Sequence, residues 1–237
     1  PSAAAARAVG KIQRRLKDYP ADTLYETIPK FHDTEDRLAK LKAAVAADVM
    51  GRVKEVGPEL KFVQEREADC SVTLSALRDG RLPLRVTHND TKLNNILIDR
   101  ESGAGICVID LDTVMLGLAI NDFGDSIRFG ANHSAEDERD LTKVNFDLEL
   151  FDVYAAGFLE GAGGALTEPE LDYLPWGAKL MTLECGIRFL TDYLEGDHYF
   201  RIHREGQNLD RCRTQFKLVS DMEAAWDVMK AVVDKYR

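Results

Sequence analysis

The chain has 237 residues, and 31 Lys plus Arg against 41 Asp plus Glu leave a formal charge of −10 with histidine neutral. That length holds one large domain or two small ones, 45% hydrophobic residues supply a core, and an acidic surface repels a phosphate backbone, which excludes broad nucleic-acid binding. With 17 Gly and 7 Pro, and apolar residues throughout, a disordered or fibrous chain is excluded as well.

In chain order, the Ala-rich start from Pro1 to Ala6 lacks the charged-then-apolar order of a signal peptide, and the first residue is not Met, as expected of a fragment. Val9, Ile12 and Leu16 recur at helical spacing up to Tyr19-Pro20, and the stretch to Pro29 reads as loop. Thr34 reads as the N-cap of a helix with the stripe Leu38, Leu41, Val45 and Val49. A third helix should carry Leu60, Val63, Cys70, Leu74 and Leu77 and end near Asp79-Gly80.

After Gly80 the pattern changes. "LPLRVTH", "NNILID" and "GICVIDLD" read as short strands, with "RESGAG" as a turn between the last two. Helical spacing returns beyond Leu118, over roughly 119–130, 145–160, 168–195 and 208–236. Gly161 to Gly164 reads as a helix end rather than a phosphate cradle, because no strand precedes it and no Lys-Ser/Thr follows. Cys70, Cys107, Cys185 and Cys212 lie far apart among apolar neighbours, as buried free thiols do in a reducing compartment. No apolar run approaches the roughly 18 residues of a membrane span, so no membrane partner and a cytoplasmic location are expected.

The chemistry is concentrated between residues 88 and 125. His88-Asn89-Asp90-Thr91-Lys92-Leu93-Asn94-Asn95 is followed by Asp110 and Asp112 in "VIDLD". A turn centred on Ser102-Gly103 would set Leu97 opposite Val108 and Asn95 opposite Asp110, and would bury Ile96, Ile98, Cys107 and Ile109 on the other face. An amide oxygen beside a carboxylate suits magnesium, whose octahedron is completed by phosphate oxygens and water. Asp90 could orient or deprotonate an attacking hydroxyl, and Lys92 could neutralise a transferring phosphoryl group. Asp112 shares the strand parity of Asp110 and is either a further metal contact or a neighbour.

The order H-x-D-x-x-x-x-N followed by I-D resembles the catalytic and metal loops of the protein-kinase-like phosphotransferases. "THNDTKLNNILID", "CVIDLDTVMLG" and "NDFGDSIRFG" resemble the aminoglycoside/choline kinase branch, and within it bacterial N-acetylhexosamine 1-kinases. "TLYETIPKFHDT" and "LECGIRFLTDYLEGDHYF" extend the likeness over nearly the whole chain. The resemblance implies an α+β, mostly helical lobe with a small hairpin carrying the metal site. It implies Asp90 as catalytic base, Asn95 and Asp110 as magnesium ligands, Lys92 as catalytic-loop lysine and Asp122, in Gly117-x-x-x-x-Asp122, as a brace under the loop. ATP and an N-acetylhexosamine are the implied substrates, with the anomeric hydroxyl as acceptor, and Arg188 and Tyr199 are the implied sugar contacts.

Other roles remain open for several of these residues. Arg188 could instead pair with Glu184, and Tyr199 could be a core aromatic. His88 reads as a structural residue under the loop, and Arg128 as an ion-pair partner near Asp125. His133, His198 and His203 form no metal cluster.

Two departures from the family pattern stand out. Asn89 occupies a position where many relatives carry Gly or Arg. No Gly-rich loop and no strand lysine of the V-A-I-K kind is present, so residues 1–237 resemble the C-terminal lobe alone, with a helical segment 1–80, the catalytic loop and hairpin 81–117 and a helical acceptor region 118–237. The isolated lobe is expected to be inactive without its ATP-covering N-terminal lobe. Rival readings are a kinase of choline, an aminoglycoside or an amino alcohol, a carboxylate-metal phosphoester hydrolase using Asp90, Asp110 and Asp112, and a non-catalytic binding module.

Overall fold

The structure is a computed structural model that describes residues 2–237. Ten helices and four short strands follow in the order α1 (Ser2–Arg15), α2 (Thr34–Ala47), α3 (Gly57–Gln64), α4 (Val72–Arg78), β1 (Arg85–Thr87), β2 (Ile96–Ile98), β3 (Gly105–Val108), β4 (Met115–Gly117), α5 (Ala119–Gly130), α6 (Leu148–Ala162), α7 (Glu168–Asp172), α8 (Leu174–Glu195), α9 (Gln207–Ala224) and α10 (Trp226–Lys235). The mostly helical lobe with a small hairpin expected from the sequence is what forms.

Helix α8 organises the lobe because it is apolar nearly all round, the pattern of a helix enclosed by others. Its first turns, through Leu174 and Ala178, join a core built from α1, α5, α6 and α10. Its remaining turns, from Leu180 to Leu194, join a second core with α2, α3 and α9. Helix α5 crosses α8 at two glycines: a methyl on Gly124 would lie 2.2 Å from the Gly177 carbonyl oxygen, and one on Gly177 would lie 2.2 Å from that of Ile120.

Several elements differ from their sequence reading, each for a local reason. Asp33, not Thr34, caps α2: its carboxylate accepts from the Asp36 N–H at 2.8 Å, while the Thr34 hydroxyl donates to the Cys70 carbonyl. Helix α2 ends at Ala47, with Asp48 in the left-handed conformation, which leaves Val49 beyond the helix and exposed. The expected third helix is three pieces, α3, a 3₁₀ turn over Glu67–Ser71, and α4. The 168–195 helix breaks at Tyr173, where Pro175 begins a new first turn. The 208–236 helix breaks at Ala225. Strand β4 was not legible as a strand; it pairs antiparallel with β1, Thr87 facing Met115.

The hairpin register is the main correction. Ile96 faces Val108 and Leu97 faces Cys107, one residue away from the expected pairing, with an irregularity between Leu97 and Ile98. Asn95 therefore lies opposite Ile109, whose N–H donates to the Asn95 carbonyl at 2.8 Å, and not opposite Asp110. A one-residue slip exchanges the faces of a strand. Val108 accordingly packs on the core, while Cys107 and Ile109, expected inside, are exposed. The other three cysteines are buried, and burial pushes the Cys70 and Cys185 thiols up to about 11, so they stay protonated at neutral pH.

Because the α5–α8 crossing is backbone against backbone, Gly177→Ala should lower stability by about 2 kcal/mol in urea unfolding. Gly57→Ala, with nothing within 4 Å of the added methyl, should change it little.

Candidate active site

Strand β1 delivers the chain into a loop, His88 to Asn95, that is held from beneath by Asp122 on α5. Asp122 is fully buried. Its Oδ1 accepts the Asn89 N–H at 2.7 Å, and its Oδ2 accepts the His88 N–H and the Gln13 side-chain amide, each at 3.0 Å. Burial pushes the Asp122 carboxyl upward, and the His88 and Asn89 amides oppose that by stabilising the carboxylate. The Thr91 hydroxyl donates to the Asp122 carbonyl, and Ser126 donates to the Thr91 carbonyl at 3.1 Å, so α5 grips the loop at a second point.

His88 is 1% exposed, and its Nε2 lies 2.9 Å from the Ile109 carbonyl, to which it donates. Its Nδ1 then accepts from the Asp90 N–H at 3.3 Å. Both ring nitrogens are thus used in holding the loop and the hairpin together. Asn89 adopts a positive φ of 66°, a left-handed conformation that asparagine tolerates better than most residues. Its side chain fixes it there by donating to the Thr113 carbonyl at 2.9 Å and accepting from the Thr87 hydroxyl at 2.9 Å.

At the top of the loop Asp90 meets Lys92 and Asn95. Asp90 Oδ2 accepts from Lys92 Nζ at 2.7 Å and from the Asn95 amide at 2.9 Å, and that amide also donates to the Asp90 carbonyl at 2.8 Å. Asp90 Oδ1 and Asn95 Oδ1 accept no hydrogen bond from the described residues. Asp110 is exposed, makes no ion pair among the described residues, and has a positive φ of 63°. It follows Ile109, the residue bonded to Asn95, so the hairpin still carries it to the same end as the amide.

Two oxygen donors without protein partners fit a hard divalent cation that takes its other ligands from phosphate and water. Asp112 does not share the strand parity expected of it, because Leu111–Thr113 is a 3₁₀ turn. Among the described residues no three His, Cys, Asp or Glu side chains converge as a metal site, so the trio Asp90, Asp110 and Asp112 required by the hydrolase reading is not assembled.

Arg188 and Tyr199 do meet, on the far side of α8. They line a cavity of about 260 Å³ with Arg37, Lys40, Thr191 and Phe200. Arg188 donates to the Tyr199 hydroxyl at 3.3 Å and lies over the rings of Phe31, Tyr199 and Phe200. The alternative pairing with Glu184 does not form; Glu184 pairs with His32 instead. Nor is Tyr199 a core residue, being 67% exposed. Asp192 accepts the backbone N–H groups of His198, Tyr199 and Phe200 at 2.8–3.0 Å, which fixes the segment carrying the tyrosine. Burial and the neighbouring Arg188 guanidinium draw the Arg37 pKa below the usual arginine value. Arg128 is an ion-pair member, bonded to Asp125 at 2.9 Å and to Glu136 at 3.2 Å. His133 pairs with Asp147, while His198 and His203 are exposed.

Sequence reasoning passed over His32, which bonds the Asn89 carbonyl at 2.8 Å and Glu184 at 3.1 Å. Its partners lie 57 and 152 residues away, so no local spacing signals it.

Removing the brace should be costly. Asp122→Ala leaves three buried donors without an acceptor and should lower stability by on the order of 3 kcal/mol in denaturant unfolding. A loss below about 1 kcal/mol would show that the loop holds itself.

The phosphotransferase enzyme family (APH) matches residues 1–163. The solved structure of choline kinase from Cryptosporidium parvum Iowa II superposes with a TM-score of 0.56 at 14% identity, covering 97% of this chain and 68% of that one. The chain belongs to the phosphotransferase enzyme family, and it has the mostly helical, kinase-like fold found in that choline kinase.

Proposed function

We propose that this chain transfers the γ-phosphoryl group of ATP to an alcohol, and that the alcohol is the anomeric hydroxyl of an N-acetylhexosamine. The observation that carries the reading is the divided carboxylate of Asp90: Oδ2 is held by Lys92 and Asn95, and Oδ1 is left to accept a proton. In the step proposed, the acceptor hydroxyl gives its proton to Asp90 Oδ1 as its oxygen bonds to the γ-phosphorus. The bond from that phosphorus to the bridging oxygen breaks, and ADP leaves. Lys92, 2.7 Å from Asp90, offsets charge at the transferring group. Asn95 and Asp110 would hold magnesium, which supplies charge neutralisation at the phosphates.

The choice of acceptor rests on the Arg188 cavity. Residues 31 and 32 are adjacent, with Phe31 under Arg188 and His32 bonded to the loop, so the cavity and Asp90 are linked through one short segment. Arg37, Lys40 and Arg188 line the cavity together with the exposed Glu195 and the buried Asp192, whose oxygens are occupied by backbone donors and the Asn208 amide. A neutral sugar gains planar donors from Arg188 and Arg37 for its oxygens and aromatic faces from Tyr199 and Phe200 for its ring.

We further propose that residues 1–237 work as the C-terminal lobe of a cytoplasmic kinase-like enzyme, with the nucleotide phosphates covered by a second lobe. No helix among the described residues is long and apolar enough to cross a membrane.

The test is a panel of N-acetylhexosamines, choline and aminoglycosides with ATP and magnesium, run on residues 1–237 joined to the preceding coding sequence and on residues 1–237 alone. Phosphorylation of the N-acetylhexosamines by the longer protein is expected, with little turnover by the shorter. Preference for choline would end the sugar reading. Asp90→Asn should cut kcat by about 100-fold or more while ATP affinity holds, and Arg188→Ala should raise the acceptor KM by roughly tenfold.

A further inference from the structure

His32 and Glu184 are buried ionisable groups that the transfer step leaves unused. Their side chains are 11% and 2% exposed, and Glu184 Oε2 is buried with no hydrogen-bond partner. Nε2 of His32 is 2.8 Å from the Asn89 carbonyl oxygen, and Nδ1 is 3.1 Å from Glu184 Oε1. A peptide carbonyl and an ionised carboxylate both only accept, so a ring bonded to both carries a proton on each nitrogen.

A neutral ring has one N–H and cannot serve both partners. With the hydrogen on Nε2, the Nδ1 lone pair faces a carboxylate. With the hydrogen on Nδ1, the Nε2 lone pair faces the Asn89 carbonyl. The charge-assisted bond to the carboxylate is the stronger, so loss of a proton releases the carbonyl. Asn89 is the left-handed residue from which Asp90 is launched, and its N–H is already fixed by Asp122 on the other side. The loop is therefore clamped at both ends of one residue, and one of the two clamps depends on a proton.

We propose that His32, kept as an imidazolium by Glu184, is a positioning residue that pins the Asn89 carbonyl and so sets the Asp90 carboxylate. This inference rests on Asp90 being the base of the transfer reaction. The charged groups around the ring come from three helices. Helix α8 supplies Glu184 and Arg188, and α5 supplies Asp122 and Asp125, the latter bonded to Arg128. Arg37 comes from α2, and Asp33 lies next to His32 in sequence.

Burial opposes charging of the ring, but Glu184, the Asn89 carbonyl and Asp125 outweigh it and raise the His32 pKa above the ordinary 6.5. A raised histidine contributes stability that is fully present below that ordinary value and is lost as pH rises through the folded one. Loop order, and turnover with it, should fall on the alkaline side of neutrality.

The first measurement is a ¹⁵N–¹H spectrum of the histidine rings in residues 1–237, with His32 assigned by its disappearance in His32→Ala. Both nitrogens should be protonated at pH 7, and a neutral His32 ring at that pH would overturn the proposal. The second is the pH profile of kcat in the enzyme carrying its preceding sequence. Glu184→Gln offers Nδ1 a donor instead of an acceptor, so a neutral ring can then keep its Nε2–H on the carbonyl. The alkaline fall in kcat seen with the wild type should vanish in Glu184→Gln, and a fall retained at the same pH would refute the clamp.

His32→Ala should reduce kcat at least about tenfold with little change in KM for ATP, whereas a merely structural role would leave the shape of the pH profile alone. If His32→Ala does not fold, His32→Gln supplies the assignment of the ring signal, and the pH profile of Glu184→Gln decides the matter independently. The ring spectrum is independent of the acceptor, so an error in the sugar reading shows in the acceptor panel and not here.

Discussion

The whole site depends on one buried carboxylate. Asp122 gathers two consecutive loop N–H groups and the Gln13 amide, and in doing so joins α1, α5 and the His88–Asn95 loop at a fully buried point. Desolvating a charge is costly unless donors replace the lost water, and three do. The same arrangement holds Asn89 in a left-handed conformation that the chain would otherwise leave. Asp90 is therefore presented from a strained residue on a rigid base, which is how a loop can hold a base in place without being buried itself.

Electrostatics divide the lobe into two regions. Around Asp90 the single Lys92 balances the loop carboxylate, and Asp110 remains unpaired among the described residues, an environment short of cations that a divalent ion would complete. Around Arg188 the arrangement differs: its guanidinium lies over three aromatic rings, and Asp192 in the same cavity lining is held by backbone amides and the Asn208 side chain.

Much of this was legible from residues alone, and what was not has a physical cause. The loop from His88 to Asn95 follows from motif order, because its residues sit at fixed offsets along one segment, whereas Asp122, Arg188 and Tyr199 were singled out by the family resemblance alone and the contact between the last two was not foreseen. Register failed in the hairpin because both strands are apolar on both faces: "NNILID" and "GICVID" offer no alternation strong enough to choose between pairings one residue apart. The 3₁₀ turn at Leu111–Thr113 removed Asp112 from strand parity for the same reason, a turn too short to mark the sequence. Breaks at Tyr173 and Ala225 divide helices whose periodicity continues across them. His32 was invisible since its role comes from Asn89 and Glu184, which only the folded chain brings to it.

These contacts converge on the crossing of α5 and α8. Helix α5 carries Asp122, which holds the Asn89 N–H, and α8 carries Glu184, which holds the histidine on the Asn89 carbonyl. One turn further along α8 stands Arg188 in the acceptor cavity. The glycines at the crossing let the two backbones touch, so neither helix can slide without moving a clamp. Tight packing at a site with no chemistry of its own thereby sets the distance between Asp90 and the cavity that Arg188 lines. A change in that crossing would be felt first as misplacement of Asp90 relative to the acceptor, before any loss of fold, since orientation at a reacting centre fails at displacements that a core still tolerates.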